Sequence, residues 1–323
     1  MNELKPAKTF VVLTNYNGVA NQFLPYPCLT SLERSLVRAD KEGCRVSVII
    51  VEDRSQDDSL KVIEEFQKRS GQVSIMRNQT EAEWDVTKSL NGAISRILTD
   101  YSECEFVITF DNDIALSEEF LLRMVQEAET CSVKIGMIAS NQFVLDEFRK
   151  GTKTHRSTGH YIDRAGATRD RDYRCEARNR GKKILCPCLS GALLKTKMLK
   201  EIGLIDEDYY HYNNCSELGL RAQLKDWEVK LAPAAVMWHR DRGSIPWGER
   251  RRDIEISRIW NILRFFPTDR IDESLEAYKK QHSKTVSPDK KAALVEEARR
   301  KCPPIFESDK KGIVYREFVE ANS

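Results

Sequence analysis

Short apolar runs closed by polar, turn-forming clusters recur through the first part of the chain. Residues 9–13 (TFVVL) end at Thr14–Asn15–Tyr16–Asn17–Gly18, and 45–51 (RVSVIIV) end at Glu52–Asp53–Arg54–Ser55. Residues 106–110 (FVITF) end at Asp111–Asn112–Asp113. Such runs, apolar on both faces and rich in β-branched and aromatic residues, predict buried strands, and 73–77 reads as another. Between them apolar residues return at helical spacing: Cys28, Leu29, Leu32 and Leu36 in 26–40, then Leu90, Ile94 and Leu98 in 87–98. Helices are also expected over 59–68 and 118–130. Strands alternating with helices predict an α/β fold whose mostly parallel central sheet is flanked by helices. In such sheets ligands sit beyond the C-terminal strand ends, where these polar clusters collect.

Asp111 and Asp113 have strand spacing, so extended geometry puts both carboxylates on one side. Two anions held together are costly without a cation between them, and a divalent metal carrying a phosphorylated ligand meets that need. The competing reading makes one aspartate a helix cap and the other a turn residue.

Beyond residue 133 the pattern changes. A strand is expected at 134–140, then a polar hairpin and loop over 155–183. The basic excess in 169–183 reads as a solvated loop or as a contact to an anionic substrate. Ser190–Gly191–Ala192 is a small-residue turn that permits close backbone approach. Helices follow at 197–202 and 215–225, extended segments at 229–232 and 234–239, and a helix over 254–266 stopped by Pro267. The arginines of 240–252 suit a diphosphate, an acidic acceptor or an anionic membrane surface. Residues 1–267 are expected to form one domain. Residues 268–323, strongly charged, are expected to add a helical extension with helices over 270–282 and 288–301, the latter capped by Ser287.

Composition narrows the picture. Apolar residues make up 41% and charged residues 32%, with a formal net charge of +2, so no basic excess points to nucleic acid. No apolar run is long enough to span a bilayer and the first residues lack a signal-peptide core. The nine scattered cysteines fit reduced thiols in a cytoplasmic protein. A zinc site built from Cys175, Cys186, Cys188 and Cys215 matches no standard finger spacing.

The order of motifs resembles the family 2 glycosyltransferases of the GT-A fold, in particular their rhamnosyltransferase-like branch. The matching pieces are the strand-end loops at 14–18 and 52–57, Asn91–Gly92–Ala93, Asp111–Asn112–Asp113 and Ser190–Gly191–Ala192. Gly203–Leu204–Ile205–Asp206–Glu207, Leu218–Gly219–Leu220–Arg221, Trp238–His239 and Trp260–Asn261 continue the series. The resemblance implies inverting, metal-dependent transfer of a sugar from a nucleoside-diphosphate-sugar to an acceptor hydroxyl on a glycan or lipid-linked acceptor. The implied setting is cytoplasmic cell-surface polysaccharide synthesis, with peripheral contact to the inner membrane face as an option. It implies donor contacts from Thr14, Tyr16, Glu52, Asp53, Lys88, Asp111, Asn112, Asp113, Ser190 and Gly191. It further implies a site for Mn²⁺ or Mg²⁺ on Asp111, Asp113 and His239. Glu52 stands where the family usually has Asp.

One stretch departs from the family pattern. The acidic pair that opens the family's catalytic helix is replaced by Asn214 and Cys215, which leaves Glu217 as the expected base. The alternatives are Asp206–Asp208 in the preceding loop, or a nucleotide-sugar- or glycan-binding protein weakened in transfer. A sugar nucleotidyltransferase would need a glycine-rich loop after the first strand, and 15–18 holds one glycine.

Overall fold

The computed structural model describes residues 4, 6–78, 85–150, 153–176, 180–209, 212–240, 251–281 and 286–322. Strands β1 (Thr9–Asn15), β2 (Val46–Glu52), β3 (Val73–Arg77) and β4 (Phe106–Asp111) form the parallel half of the sheet, in the order β3-β2-β1-β4. Every side chain of β1 and β2 is buried, as expected of strands covered on both faces. Helices α1 (Thr30–Lys41), α2 (Ser59–Arg69) and α3 (Val86–Asp100) make the crossovers. Helix α1 begins four residues later than the apolar spacing predicts, because Pro25 and Pro27 lie in a separate turn over Leu24–Leu29. Asp85 caps α3, its carboxylate accepting from the Thr87 and Lys88 amides.

The other half of the sheet is mixed. After β5 (Ile114–Leu116) and α4 (Phe120–Thr130) come β6 (Ile135–Val144), β7 (His155–Ser157), β8 (His160–Ile162) and β9 (Thr168–Asp170), then β10 (Ala192–Lys195). Strand β10 inserts antiparallel between β4 and β6. Helices α5 (Thr196–Ile202) and α6 (Asn214–Leu224) precede β11 (Glu228–His239), which runs parallel to β6 and antiparallel to β5. The two extended segments expected at 229–232 and 234–239 are this single strand, with a register shift between Ala232 and Val236 that accommodates Pro233. Strands β8 and β9 pair apart from the main sheet.

Helix α7 (Arg251–Phe265) lies across the start of α6 and the β8–β9 hairpin. Asn261 donates to Ser216 Oγ and the Gly166 carbonyl, and Arg258 Nε donates to the Ala165 carbonyl. Helices α8 (Thr268–Lys280), α9 (Pro288–Lys301) and α10 (Lys311–Val314) follow. Tyr278, Val295, Ala298, Phe318 and Val319 from this region share one apolar core with Ile259 and Ile262 of α7 and with strands of the main sheet. Asn322 exchanges hydrogen bonds with the Lys183 backbone, at 2.8 and 3.1 Å, which ties the C-terminal residues to the segment leading to Cys186. Among the described residues no helix is long and apolar enough to cross a membrane.

Helix α6 packs directly against the backbone at 185–186, and Gly219 permits it. A Cβ there would stand 2.6 Å from Cys186 Cβ and 3.0 Å from the Leu185 carbonyl. Gly219→Ala is therefore expected to lower unfolding free energy by about 1–3 kcal/mol in urea titration, the usual cost of overpacking. Wild-type stability in that variant would show slack between the two segments.

Candidate functional site

Parallel registry sets the site's floor. Thr14 lies opposite Asp111 and Asn15 opposite Glu52, so β1, β2 and β4 end at one level. The loops beyond them are tied together by their own polar groups. Asn15 Nδ2 donates to Glu52 Oε2 at 2.6 Å, and its Oδ1 accepts from Asn112 Nδ2 at 2.8 Å. Glu52 Oε1 accepts from the Ser55 amide, and Asp53 Oδ2 from Ser89 Oγ at the start of α3. Glu52 and Asp53 are both buried, and these bonds hold the strand-end loops in shape. Tyr16 is half-buried, while the Lys88 side chain is 55% exposed at the rim, 3.9 Å from Asp85.

Asp111 is the last residue of β4, and Asp113 directly precedes β5. Neither caps α4, whose cap position is Glu119. Thr14 Oγ1 donates to Asp111 Oδ1 at 3.1 Å, and the Asp111 amide donates to Ser190 Oγ. Gly191, at φ +105°, lets the chain turn beneath this group: a Cβ would stand 2.2 Å from Met237 Sδ and 2.7 Å from Ser140 Oγ. Because β5 pairs antiparallel with β11, Ile114 lies opposite His239, which sets His239 beside Asp113.

His239 Nε2 is 3.3 Å from Asp113 Oδ1, yet that oxygen is buried and accepts no hydrogen bond. The ligand atoms of Asp111, Asp113 and His239 lie within 4.8 Å of one another. Two carboxylates and an imidazole around an unsatisfied buried oxygen suit a divalent cation, and the mixed O/N set suits manganese better than an all-oxygen magnesium site. Burial and the Asp113 charge push the Asp111 carboxyl up to about 6. Burial also acts to raise Asp113, but His239 outweighs it and holds Asp113 below the usual carboxylate range. Burial and Arg156 oppose protonation of His239, and the Asp113 charge overcomes them, raising it to about 9.

Gln142 of β6 is a contributor with no motif to signal it. Its Nε2 donates to the Ser190 carbonyl at 2.7 Å and its Oε1 lies 3.4 Å from His239 Nδ1, orienting that ring. Tyr212 also borders the group: burial, then Asp111 and Asp113, raise its phenol. Of the arginines in 240–252, 241–250 lie outside the described residues.

Glu217 is enclosed and paired. It has no exposed surface, and Arg221 Nε and Nη2 donate to its two oxygens, at 2.5 and 2.9 Å. The Asp206 amide donates to Oε2 as well. Burial pushes the carboxyl up against the pull of Arg221. Arg221 also donates to the Ile202 and Leu204 carbonyls, so the pair locks α6 to the end of α5. Asn214 Nδ2 donates to Thr87 Oγ1, and Asp206 is paired with Arg264 at 2.8 Å. Arg221→Ala strands a buried carboxylate and is expected to cost about 3–5 kcal/mol by chemical denaturation. A loss below about 1 kcal/mol would mean that the pair is dispensable for anchoring α6.

Known proteins share this architecture. The chain aligns over 92% of its length with a mannosyltransferase, PcManGT from Pyrobaculum calidifontis, solved with GDP-Man and Mn²⁺; the TM-score is 0.51, at 14% identity and 72% coverage of that chain. S. aureus TarS aligns with a TM-score of 0.51 at 16% identity, over 84% of this chain and 42% of its own. GalNAc-T7, solved with UDP, GalNAc and Mn²⁺, aligns at 0.61 and 11% identity, over 90% of this chain and 55% of its own. The present chain thus spans about half the length of the last two. At these identities the likeness is one of fold. No curated protein matches by sequence. Residues 10–203, well over half of the chain, match the family described as glycosyl transferase family 2, and they carry the strand-end loops, the Asp111–Asp113 element and the Ser190–Gly191 turn. The chain belongs to glycosyl transferase family 2.

Proposed function

We propose that the protein transfers a sugar, with inversion, from a nucleoside-diphosphate-sugar to an acceptor hydroxyl, in a metal-dependent reaction that serves polysaccharide assembly. The observation that carries this reading is the Asp111–Asp113–His239 group with its unsatisfied buried oxygen at the C-terminal end of β4. Support also comes from the nucleotide and Mn²⁺ bound by PcManGT and GalNAc-T7, which share the fold. A divalent ion there, manganese by the donor set, would offset the charge that develops on the leaving nucleoside diphosphate. The loops at Thr14–Tyr16 and Glu52–Asp53 would line the nucleoside side of the donor. Asn112, Ser190 and Gly191 would line the diphosphate side and Lys88 the rim. The acceptor class is a glycan or a lipid-linked saccharide, and the cytoplasmic face of a membrane suits the latter.

The proton of the acceptor hydroxyl needs a base. Glu217 enters this reading as a positioning residue, since both of its oxygens are occupied by Arg221. Asp206 is likewise engaged by Arg264. Asp208 stands in the same loop with an exposed side chain, its carboxyl raised by partial desolvation and by the Asp206 charge, and we assign it the role of base. A second reading has one observation in its favour: with Asn214 and Cys215 opening α6 and Glu217 sequestered, the chain would bind a nucleotide-sugar and transfer it slowly.

Calorimetry with a panel of GDP- and UDP-sugars, with and without Mn²⁺, is expected to reveal one donor class whose binding strengthens with the metal. No binding to any nucleoside diphosphate under either condition would sink the reading. Asp113→Asn is expected to abolish the metal-dependent part of binding and transfer. Asp208→Asn should retain donor affinity and lose about 10²–10⁴-fold in kcat, the usual range for a general base. Unchanged turnover in that variant would remove Asp208, and wild-type protein that binds donor without turnover would favour the binding reading.

A further inference from the structure

A second group of metal-ligating side chains shares no residue with the carboxylate group. His160 of β8, Cys186 and Cys215 present their ligand atoms within 4.8 Å of one another, with both cysteines buried. They come from three segments that the fold brings together. His160 and Cys186 form an isolated antiparallel bridge, the His160 amide donating to the Cys186 carbonyl at 2.7 Å. Cys215 enters from the first turn of α6, brought in by the close approach that Gly219 permits against Cys186.

The imidazole is oriented as a ligand. Its Nε2 is 3.0 Å from Asp170 Oδ1, and Asp170 is itself held by Arg156 at 3.1 Å. A carboxylate opposite Nε2 accepts a hydrogen bond from the ring N–H there and leaves the Nδ1 lone pair free, as metal-bound histidines require. Nδ1 faces Cys215 Sγ at 3.2 Å. In a tetrahedral zinc site, with bonds of about 2.0–2.3 Å, neighbouring ligand atoms stand roughly 3.3–3.8 Å apart, so the group needs only small adjustment. Two thiolates and an imidazole select zinc over the harder cations that suit the carboxylate group.

We infer that His160, Cys186 and Cys215 form a zinc-binding site that fastens the start of α6 to the β8–β9 hairpin and the segment before β10. The site is independent of the donor reading. Its place has a consequence for α6: by sequence register Cys215 stands at one of the two positions where the family's acidic pair would open that helix. A zinc anchor there fixes the first turn of α6.

The test uses the full-length protein, stripped of metal under reducing, anaerobic conditions and titrated with Co²⁺. Wild type is expected to develop a near-ultraviolet thiolate-to-cobalt charge-transfer band that saturates at one equivalent and is displaced by Zn²⁺. Asp113→Asn should retain the band, since it alters only the carboxylate group. The double variant Cys186→Ser/Cys215→Ser should lose it. Alkylation mapped by mass spectrometry should find Cys186 and Cys215 protected by Zn²⁺ in wild type, a readout that holds even where the double variant fails to fold. The inference is overturned by a wild-type protein without the charge-transfer band, by a band that survives in the double variant, by Cys186 and Cys215 alkylated equally with and without Zn²⁺, or by a Cys186–Cys215 disulfide in freshly isolated protein.

Discussion

A half-buried and a buried carboxylate at the end of β4, Asp111 and Asp113, set the charge balance of the site. Asp111 and Asp113 cannot both remain ionised at that depth without a positive partner, and burial alone would drive both toward the neutral acid. The protein supplies His239, delivered by the antiparallel pairing of β5 with β11, and the charges of Arg156 and Arg240. The compensation is incomplete: one Asp113 oxygen stays unsatisfied, and the Asp111 carboxyl rises. That residual demand for positive charge makes the sheet's C-terminal edge a candidate cation site. The surrounding polar bonds, Thr14 and Ser190 to Asp111 and Gln142 to His239, fix its shape.

The start of α6 is built on a different principle. Its framework is the buried Glu217–Arg221 pair, in which a guanidinium satisfies a carboxylate and two backbone carbonyls together. A buried pair of this kind contributes little net stability over an apolar substitute, but breaking it is costly. It specifies how α6 meets the end of α5. A second set of contacts, from Asn213 and Ser216 to Ser257 and Asn261, seats the same turn on α7. The start of α6 is therefore held from several directions, and its polar residues are engaged in holding it.

The thiol group adds to that arrangement. Sequence inspection weighs Cys175, Cys186, Cys188 and Cys215 as a zinc set and finds no recognised spacing, and spacing is the wrong variable here. Cys175 is exposed, while the nitrogen ligand, His160, lies on a short strand in a stretch that reads as a polar hairpin and loop. Sites assembled from three distant segments leave no local signature; they become visible only when β-bridging and helix packing bring the segments together.

What the sequence by itself determined is the alternation of buried strands and amphipathic helices, the clustering of polar residues at strand ends and the Asp-x-Asp element. Strand burial and helical periodicity are local properties, and the apolar runs of β1, β2 and β4 carry them plainly. Tertiary structure alone decided which strands invert. The antiparallel insertion of β10 and the return of β5 onto β11 depend on long-range pairing, and these set Ser190 and His239 around the aspartates. It also decided the surroundings of Glu217, enclosed and paired with Arg221. An acid at a helix start reads the same in sequence whether it faces an open cleft or a guanidinium one turn away, because burial and partners are properties of the packed molecule.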